Sequence, residues 1–308
     1  MRDDILQFIE TVSNKSMYNK KQLLRLLALP KSRYYDWIRR QGRPNQHNGL
    51  MPKTHWLLEE EQQAIVNYCR DKIDMGYRRL TYQMLDENIA AVSPSSTYRV
   101  LKSAGLLNRW NTKESAKGQG FKQPLKVHDH WHVDISYLTI LGNTFFLISV
   151  LDGASRYIVH HEVRTHMSEY DVQVTIERAR EKFAEARPRI ISDNGGQFIS
   201  KEFKKYIHHS DYTHVRTSVS YPQSNGKLER FHRTIKQEEV RRKSYVSLED
   251  ARRSISEYVS CYNTERLHSA IYYLTPEDVL RDRIKKRLRE RQFKLDRARE
   301  MRIKRNAA

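Results

Sequence analysis

The spacing of apolar residues changes along this chain from a helical period to a strand period, and the change divides it in two. Leucines at 23, 24, 26 and 27 predict a helix over Lys20 to Leu27. After Ala28-Leu29-Pro30 a second helix, Ser32 to Arg40, carries Tyr34, Tyr35, Trp37 and Ile38 beside Arg33, Arg39 and Arg40. Two helices joined by a tight turn, the second aromatic on one side and basic on the other, predict a helix-turn-helix; a small bundle that binds nothing is the alternative. Arg43 to Gly49 reads as a linker. A second helical unit follows. Glu59 to Asp74 has Ile65, Val66, Tyr68 and Ile73 at near-helical spacing, and Gly76-Tyr77-Arg78-Arg79 leads into a helix through Leu85. Ser93 as N-cap and Pro94 at the first helical position start a third, which ends at Gly105. Asn108 to Lys126 has no apolar period and reads as a flexible basic linker.

From there the pattern alternates. Strands are predicted at Trp131 to Leu138, Thr144 to Leu151 and Arg156 to Val163, close enough to form an antiparallel meander. A helix over Tyr170 to Ala184, a strand over Arg189 to Ser192, a helix over Ser200 to His208, a strand over His214 to Ser218 and a helix over Gly226 to Arg242 complete a mixed α/β (α+β) sheet with helices packed on it. In the last helix Leu228, Phe231 and Ile235 share one face, while Glu229, Arg233 and Lys236 share another. The expected organisation is a first helix-turn-helix unit at 1–47, a second helical unit at 48–107, a linker at 108–127, an α/β core at 128–275 and a basic helix at 276–308.

Charge narrows the partner. The 308 residues carry a formal charge of +19 and a sequence pI near 9.8, which favours a polyanion whose condensed counterions are released on binding. No apolar run reaches bilayer length, and no signal-peptide core stands at the N-terminus, so a cytoplasmic protein is expected. Cys69 and Cys261 lie far apart without a Cys-x-x-Cys partner, which indicates neither a disulfide framework nor a zinc finger.

The candidate chemistry lies in three acids. Asp134 follows Trp131-His132-Val133 on the first strand, Asp193 follows the apolar end of the fourth and precedes Asn194-Gly195-Gly196, and Glu229 begins the basic helix. Mg²⁺ takes hard oxygen ligands and is usually held by one or two carboxylates plus substrate phosphate. A pair of such ions activates an attacking oxygen and stabilises the leaving one in an in-line displacement at phosphorus. Taken singly, each acid has an ordinary explanation: a strand carboxylate on backbone, a turn, a solvated helix charge. Their joint order and spacing favour the site. His128, His130, His132 and Asp134 alternate and raise a transition-metal site, but without a second ligand cluster a structural role is the better reading.

The order of elements resembles the ribonuclease H-like fold, and Asp134, Asp193 and Glu229 resemble the DDE triad of transposases and retroviral integrases, with the characteristic thirty-five residues between the last two. Trp131, Ser136-Tyr137, Asp152 with Ser155-Arg156, Pro222, Asn225-Gly226, Glu229-Arg230, Lys236, Tyr262-Asn263 and Arg266-Leu267-His268-Ser269 tighten the likeness. With Leu29-Pro30-x-Ser32-x-Tyr34-Tyr35-x-Trp37 and Gly76-Tyr77-Arg78-Arg79 toward the N-terminus, nearly the whole chain is similar to the B-frame transposases of insertion-sequence family three.

That resemblance implies a transposase that recognises the ends of its element, cleaves DNA to a 3′-hydroxyl and joins that hydroxyl to a second phosphodiester without a covalent protein intermediate. It implies two Mg²⁺ per site, with Mn²⁺ able to substitute, Asp134 bridging them and Asp193 and Glu229 completing their spheres. Double-stranded DNA (terminal inverted repeats and target), a homo-oligomer of at least two copies on paired ends, an upstream-frame protein partner and a nucleoid-associated bacterial location follow from it. The DNA contacts expected are Lys236, Arg233 and Asn225 near the triad, Arg33 and Arg39 in the first helical unit, and Arg78, Arg79, Ser95 and Arg99 in the second. A ribonuclease H-like nuclease and an end-binding protein without chemistry are the competing classes.

From Val279 to Ala308 there are thirteen Lys or Arg and four Asp or Glu, with Leu280, Ile284, Leu288 and Leu295 at helix-compatible intervals. Acid-base pairs at i, i+4 (Asp282-Lys286, Glu290-Lys294, Glu300-Lys304) predict a long helix. It would track DNA phosphates, pack on another subunit, or stay solvated until a complex forms.

Overall fold

A computed structural model describes residues 2–42, 56–107, 126–210, 212–216 and 226–307. The chain divides into two compact units, Met1–Pro52 and Lys53–Ala308.

The first unit is built from α1 (Arg2–Lys15), α2 (Lys20–Leu26) and α3 (Lys31–Arg39). The predicted helix pair is present, and α1 adds to it: Leu6 and Ile9 close a small core over Leu23, Leu24 and Tyr34. Asn19 fixes the start of α2, its side chain accepting from the Gln22 N–H while the Gln22 side chain accepts from the Asn19 N–H. The turn between α2 and α3 lacks glycine, yet Ala28 takes the left-handed conformation there at φ 49°. The aromatic face of α3 is split, with Tyr34 buried and Tyr35 and Ile38 exposed.

In the second unit, α4 (Glu59–Asp71), α5 (Tyr77–Asp86) and α6 (Pro94–Ser103) enclose Ile65, Tyr68, Leu80, Met84, Val100 and Leu101. Ser93 caps α6 by accepting from the Ser96 N–H, with Pro94 in the first turn. Buried hydroxyls of Thr81 and Thr97, 2.9 Å apart, tie α5 to α6.

The sheet has five strands, β1 (His130–Ile140), β2 (Asn143–Asp152), β3 (Ile158–Arg164), β4 (Arg189–Ser192) and β5 (Thr213–Arg216), in the order β3-β2-β1-β4-β5. The first three form the predicted antiparallel meander, and β4 and β5 are parallel to β1. This is the arrangement expected of a ribonuclease H-like core. Alternation along β1 separates two hydrophobic layers. Trp131 and Val133 face α7 (Glu169–Lys182), the short α8 (Gly196–Ile199) and α9 (Lys201–His209). Leu138 and Ile140 face α10 (Gly226–Ile235) and α11 (Leu248–Thr264). Asn263, on α11, holds the start of β3: its side-chain oxygen accepts from the Ile158 N–H and its amide donates to the Ile158 carbonyl.

The helix expected to run from Gly226 to Arg242 instead leaves α-geometry at Ile235 and continues as a π turn over Lys236–Val240. The two consecutive acids of that turn both meet α11. Glu238 binds Tyr258 and Arg266, while the buried Glu239 accepts from Ser254 Oγ at 2.6 Å. Their contacts with the neighbouring helix offset the distorted ladder.

After α12 (Pro276–Leu280), α13 (Ile284–Ala307) is the long C-terminal helix that was expected, and it is not a solvated tail. It docks within its own unit, on the second set of helices. Arg291 lies bidentate on Asp86 at 2.9 and 2.6 Å and also donates to the carbonyls of Tyr272 and Tyr273. Arg302 lies on Glu61 at 2.8 Å, and Lys294 donates to the last carbonyls of α5, Leu85 and Asp86. The i, i+4 pairs that seemed to support an isolated helix are redirected. Lys294 caps α5, Glu290 pairs with Arg287, and Asp282 stands before the helix with φ 50°. Among the described residues no helix is long and apolar enough to cross a membrane.

Candidate active site

Strand register brings two of the three acids together. In the parallel pair of β1 and β4, His132 stands opposite Ile191, so two residues further on Asp134 falls beside Asp193. Adjacent strands lie roughly 4.8 Å apart and paired positions point to the same face. That face is the one covered by α10. Asp193 follows the last residue of β4, where its Oδ1 accepts from the Gly195 N–H at 2.9 Å. A Cβ at position 195 would sit 2.5 Å from the Gln197 side-chain nitrogen and 3.1 Å from Asp193 Oδ1, so a larger residue there would displace Gln197 and crowd the carboxylate. Burial raises the Asp193 carboxyl above the usual aspartate range, the Gly195 N–H opposes this, and the charge of Asp134 adds to it. The pair is therefore a concentration of negative charge that the fold itself leaves undercompensated.

Glu229 lies in the first turn of α10, exposed to solvent. Its helix is seated on β1 through a residue that sequence reasoning did not single out. His232, one turn beyond Glu229, is buried, with Nδ1 3.6 Å from Asp134 Oδ2 and Nε2 3.3 Å from Ser149 Oγ. Ser149 is the cross-strand partner of Asp134, so the imidazole spans two neighbouring strands. The signal was available in the i, i+3 relation of His232 to Glu229. Lys236 is half-buried on the same side of the helix. Burial lowers its ammonium pKa, Arg241 lowers it further, and the opposite charge of Asp134 works against both.

The structure thus gathers Asp134 and Asp193, and aligns Glu229, His232 and Lys236 along the helix above them. Among the described residues no group of three or more His, Cys, Asp or Glu stands ready to hold a metal, so Glu229 is near the pair by its helix and not by direct contact. The alternating histidines of β1 likewise gather no second set of ligands. Asn225 lies outside the described residues.

The other expected DNA contacts are scattered. Arg33 and Arg39 are exposed on the first unit, Arg233 is exposed on α10, and Ser95 and Arg99 are exposed at the start of α6. Arg78 is exposed with its Nε 3.1 Å from Tyr77 Oη. Arg79 is different: it is half-buried, 3.9 Å from Glu238 on the π turn.

A family model described as Integrase core domain matches residues 124–222, and a second with the same description matches 210–276. InsF, the transposase for insertion sequence IS3A of Escherichia coli strain K12, is 21% identical over 288 residues, covering 88% of this chain and 97% of the relative. InsK of the same strain, assigned to insertion sequence element IS150, is 19% identical over 274 residues, covering 85% and 93%. Among solved structures, the HTLV-2 integrase catalytic core with magnesium is 16% identical, with a TM-score of 0.42 over 51% of this chain and 98% of that one.

Proposed function

We infer, from a chain that belongs to the DDE transposases of insertion-sequence family three, that Asp134, Asp193 and Glu229 are the acids with which it cuts and rejoins DNA. The protein is a DNA transposase, a polynucleotidyl transferase of the integrase type. The observation that carries the assignment of residues is the register of β1 and β4, which sets two strand carboxylates side by side under the helix that bears the third acid.

The donor set suits a divalent cation with hard-oxygen preference. Two neighbouring carboxylates, one held above its ordinary pKa by burial and by the other, are relieved by positive charge, and phosphate oxygens of the substrate would complete the coordination. Asp134 and Asp193 would hold Mg²⁺, or Mn²⁺ in its place, and Glu229 would join them as α10 settles against the substrate. Such an ion, singly or in a pair, supplies activation of an attacking oxygen and stabilisation of a leaving oxygen.

The chain's own residues do the rest. His232 positions Asp134 by bracing it against Ser149, so the carboxylate keeps one rotamer while DNA enters. Lys236 and Arg233, on the exposed side of α10 and its π turn, are placed to grip phosphates flanking the reacting one. Arg33 and Arg39 on the first unit, and Ser95 and Arg99 on α6, are exposed and would contact backbone or base edges of the terminal repeats. Water attacks a phosphodiester at the element's end to leave a 3′-hydroxyl. That hydroxyl then displaces a second bridging oxygen in line, so one phosphodiester is made for each one broken. A homo-oligomer pairing two ends is the expected working form, with an upstream-frame protein as a further partner.

The test is a cleavage and joining assay on labelled duplex carrying the inverted repeats that flank the reading frame, with Mg²⁺. Joined product from the wild type and none from Asp134→Asn, Asp193→Asn or Glu229→Gln, all still shifting the DNA, is the expected result. Undiminished joining by any one variant removes that residue from the site.

A further inference from the structure

Three guanidiniums lie within electrostatic reach of one imidazole where the second helical unit meets the catalytic half. Arg79 comes from α5, Arg156 from the turn before β3, and Arg266 from the segment after α11. The charges of all three act on His268, and with burial as the larger cause they drive its pKa down to about 2, so the ring is neutral. Among the described residues, one carboxylate pairs with this group. Glu238 accepts from Arg266 Nε at 3.0 Å and Nη2 at 2.7 Å, and from Tyr258 Oη at 2.8 Å. Oε2 thereby takes two donors and Oε1 one, and Arg79 approaches Oε1 no closer than 3.9 Å. A second acid, Asp152, acts on Arg156 through space, while its own oxygens accept from Ser155 and from the His128 N–H.

The corner is also short of acceptors. Among the described residues, Arg156 Nη1 is buried without a hydrogen-bond partner. Desolvating guanidinium groups without matched anions is costly, and removing one partner of a buried pair is costlier than never having buried it. The same chain matches its arginines where they serve only packing, as Arg291 on Asp86 and Arg302 on Glu61 demonstrate. Surplus guanidinium in a partly open corner, with Arg79 30% exposed at its rim, suits an anion of phosphate geometry.

We propose that the corner formed by Arg79, Arg156 and Arg266 seats a backbone phosphate of the bound DNA strand, with Arg79 as the direct grip and the other two as its electrostatic floor. This rests on the transposase reading and deepens it. Glu238 stands nine residues beyond Glu229, past the end of α10 and in the π turn, a run of at most roughly 13 Å. At about 3.4 Å of rise per nucleotide, the seated phosphate falls within about four nucleotides of the cleaved bond. Because Arg79 belongs to α5, the contact would set the register between DNA held by the helical unit and DNA lying across the acids.

Neutral methylphosphonates placed one at a time along both strands of the end duplex test this, with binding measured for wild type, Arg79→Gln and Arg79→Lys. Wild type should lose about tenfold in affinity at one or two phosphates near the cleavage point. Arg79→Gln should bind unmodified DNA about tenfold more weakly, show no further loss at those phosphates, and have a salt slope shallower by about 1. Arg79→Lys keeps the charge without the planar fork and should fall between, which also covers the case in which the glutamine variant does not fold. If Arg79→Gln or Arg79→Lys retains the full wild-type loss at those phosphates, the corner is an internal lock and the proposal fails alone. If wild type neither binds nor joins end DNA, the transposase reading fails with it.

Discussion

Carboxylates gather in two places in the larger unit, and they are treated in opposite ways. Along α13, Asp86 and Glu61 each receive a two-pronged arginine, Arg291 and Arg302, both almost wholly buried. At the end of the sheet, Asp134 and Asp193 stand beside each other with a backbone N–H apiece and one imidazole at 3.6 Å. The first arrangement is complete within the chain. In the second no Lys or Arg ion pair forms among the described residues, and we read the difference as that between an acid that holds a fold together and one available for chemistry. The arginine corner around His268 is the reverse case, with guanidinium in excess.

The contrast is broken most severely by changing the sheet acids. Asp134→Asn and Asp193→Asn should lower cleavage and joining at least about a thousandfold. Neither should lower the melting temperature, and Asp193→Asn should raise it by about 2 °C, because it removes a half-buried charge that repels its neighbour. Joining assays beside thermal unfolding without metal read both halves; a large loss of stability would make these acids structural.

Removing a seam arginine should do the opposite. Arg291→Met leaves Asp86 without its main buried partner and should cost about 3 kcal/mol in urea unfolding, while joining measured well below the new midpoint stays within a few-fold of wild type. Mg²⁺ at about a hundred times its dissociation constant should stabilise the wild type by about 2.7 kcal/mol. It should do so far less for Asp134→Asn or Asp193→Asn, and equal stabilisation would place the ion elsewhere. The smallest effect is expected from the brace. His232→Ala should weaken Mg²⁺ affinity about tenfold by titration calorimetry, with His232→Asn recovering part of it. A change in melting temperature with no change in metal affinity would make His232 a packing residue only.

Much of this was legible in the chain because local chemistry and period agree. Apolar alternation located the meander and the β4 strand, and Ser93-Pro94 located the start of α6 to the residue. Helix α1 lies outside the predicted helices although Ile5, Leu6, Ile9 and Val12 recur at helical spacing. The π turn was not legible, because it depends on Glu238 and Glu239 both finding partners on α11, far away in sequence. For the same reason the docking of α13 was invisible: its charges suggested pairs within one helix, whereas their partners are Asp86, Glu61 and exposed carbonyls about two hundred residues earlier.

The sequence by itself determined which residue types were available and at what period, hence the α/β core, the basic helical units ahead of it and the three candidate acids. Those are local quantities: propensity, alternation, capping and charge are written in neighbouring residues. Only the tertiary structure decided which charges neutralise one another. It set Asp134 beside Asp193 through the register of two strands nearly sixty residues apart, braced the first with His232, matched the arginines of α13, and left those around His268 in surplus. Electrostatic pairing depends on distances across the fold, and the same arginine or aspartate reads identically in the chain whether its partner is an acid, a backbone carbonyl or a phosphate yet to arrive.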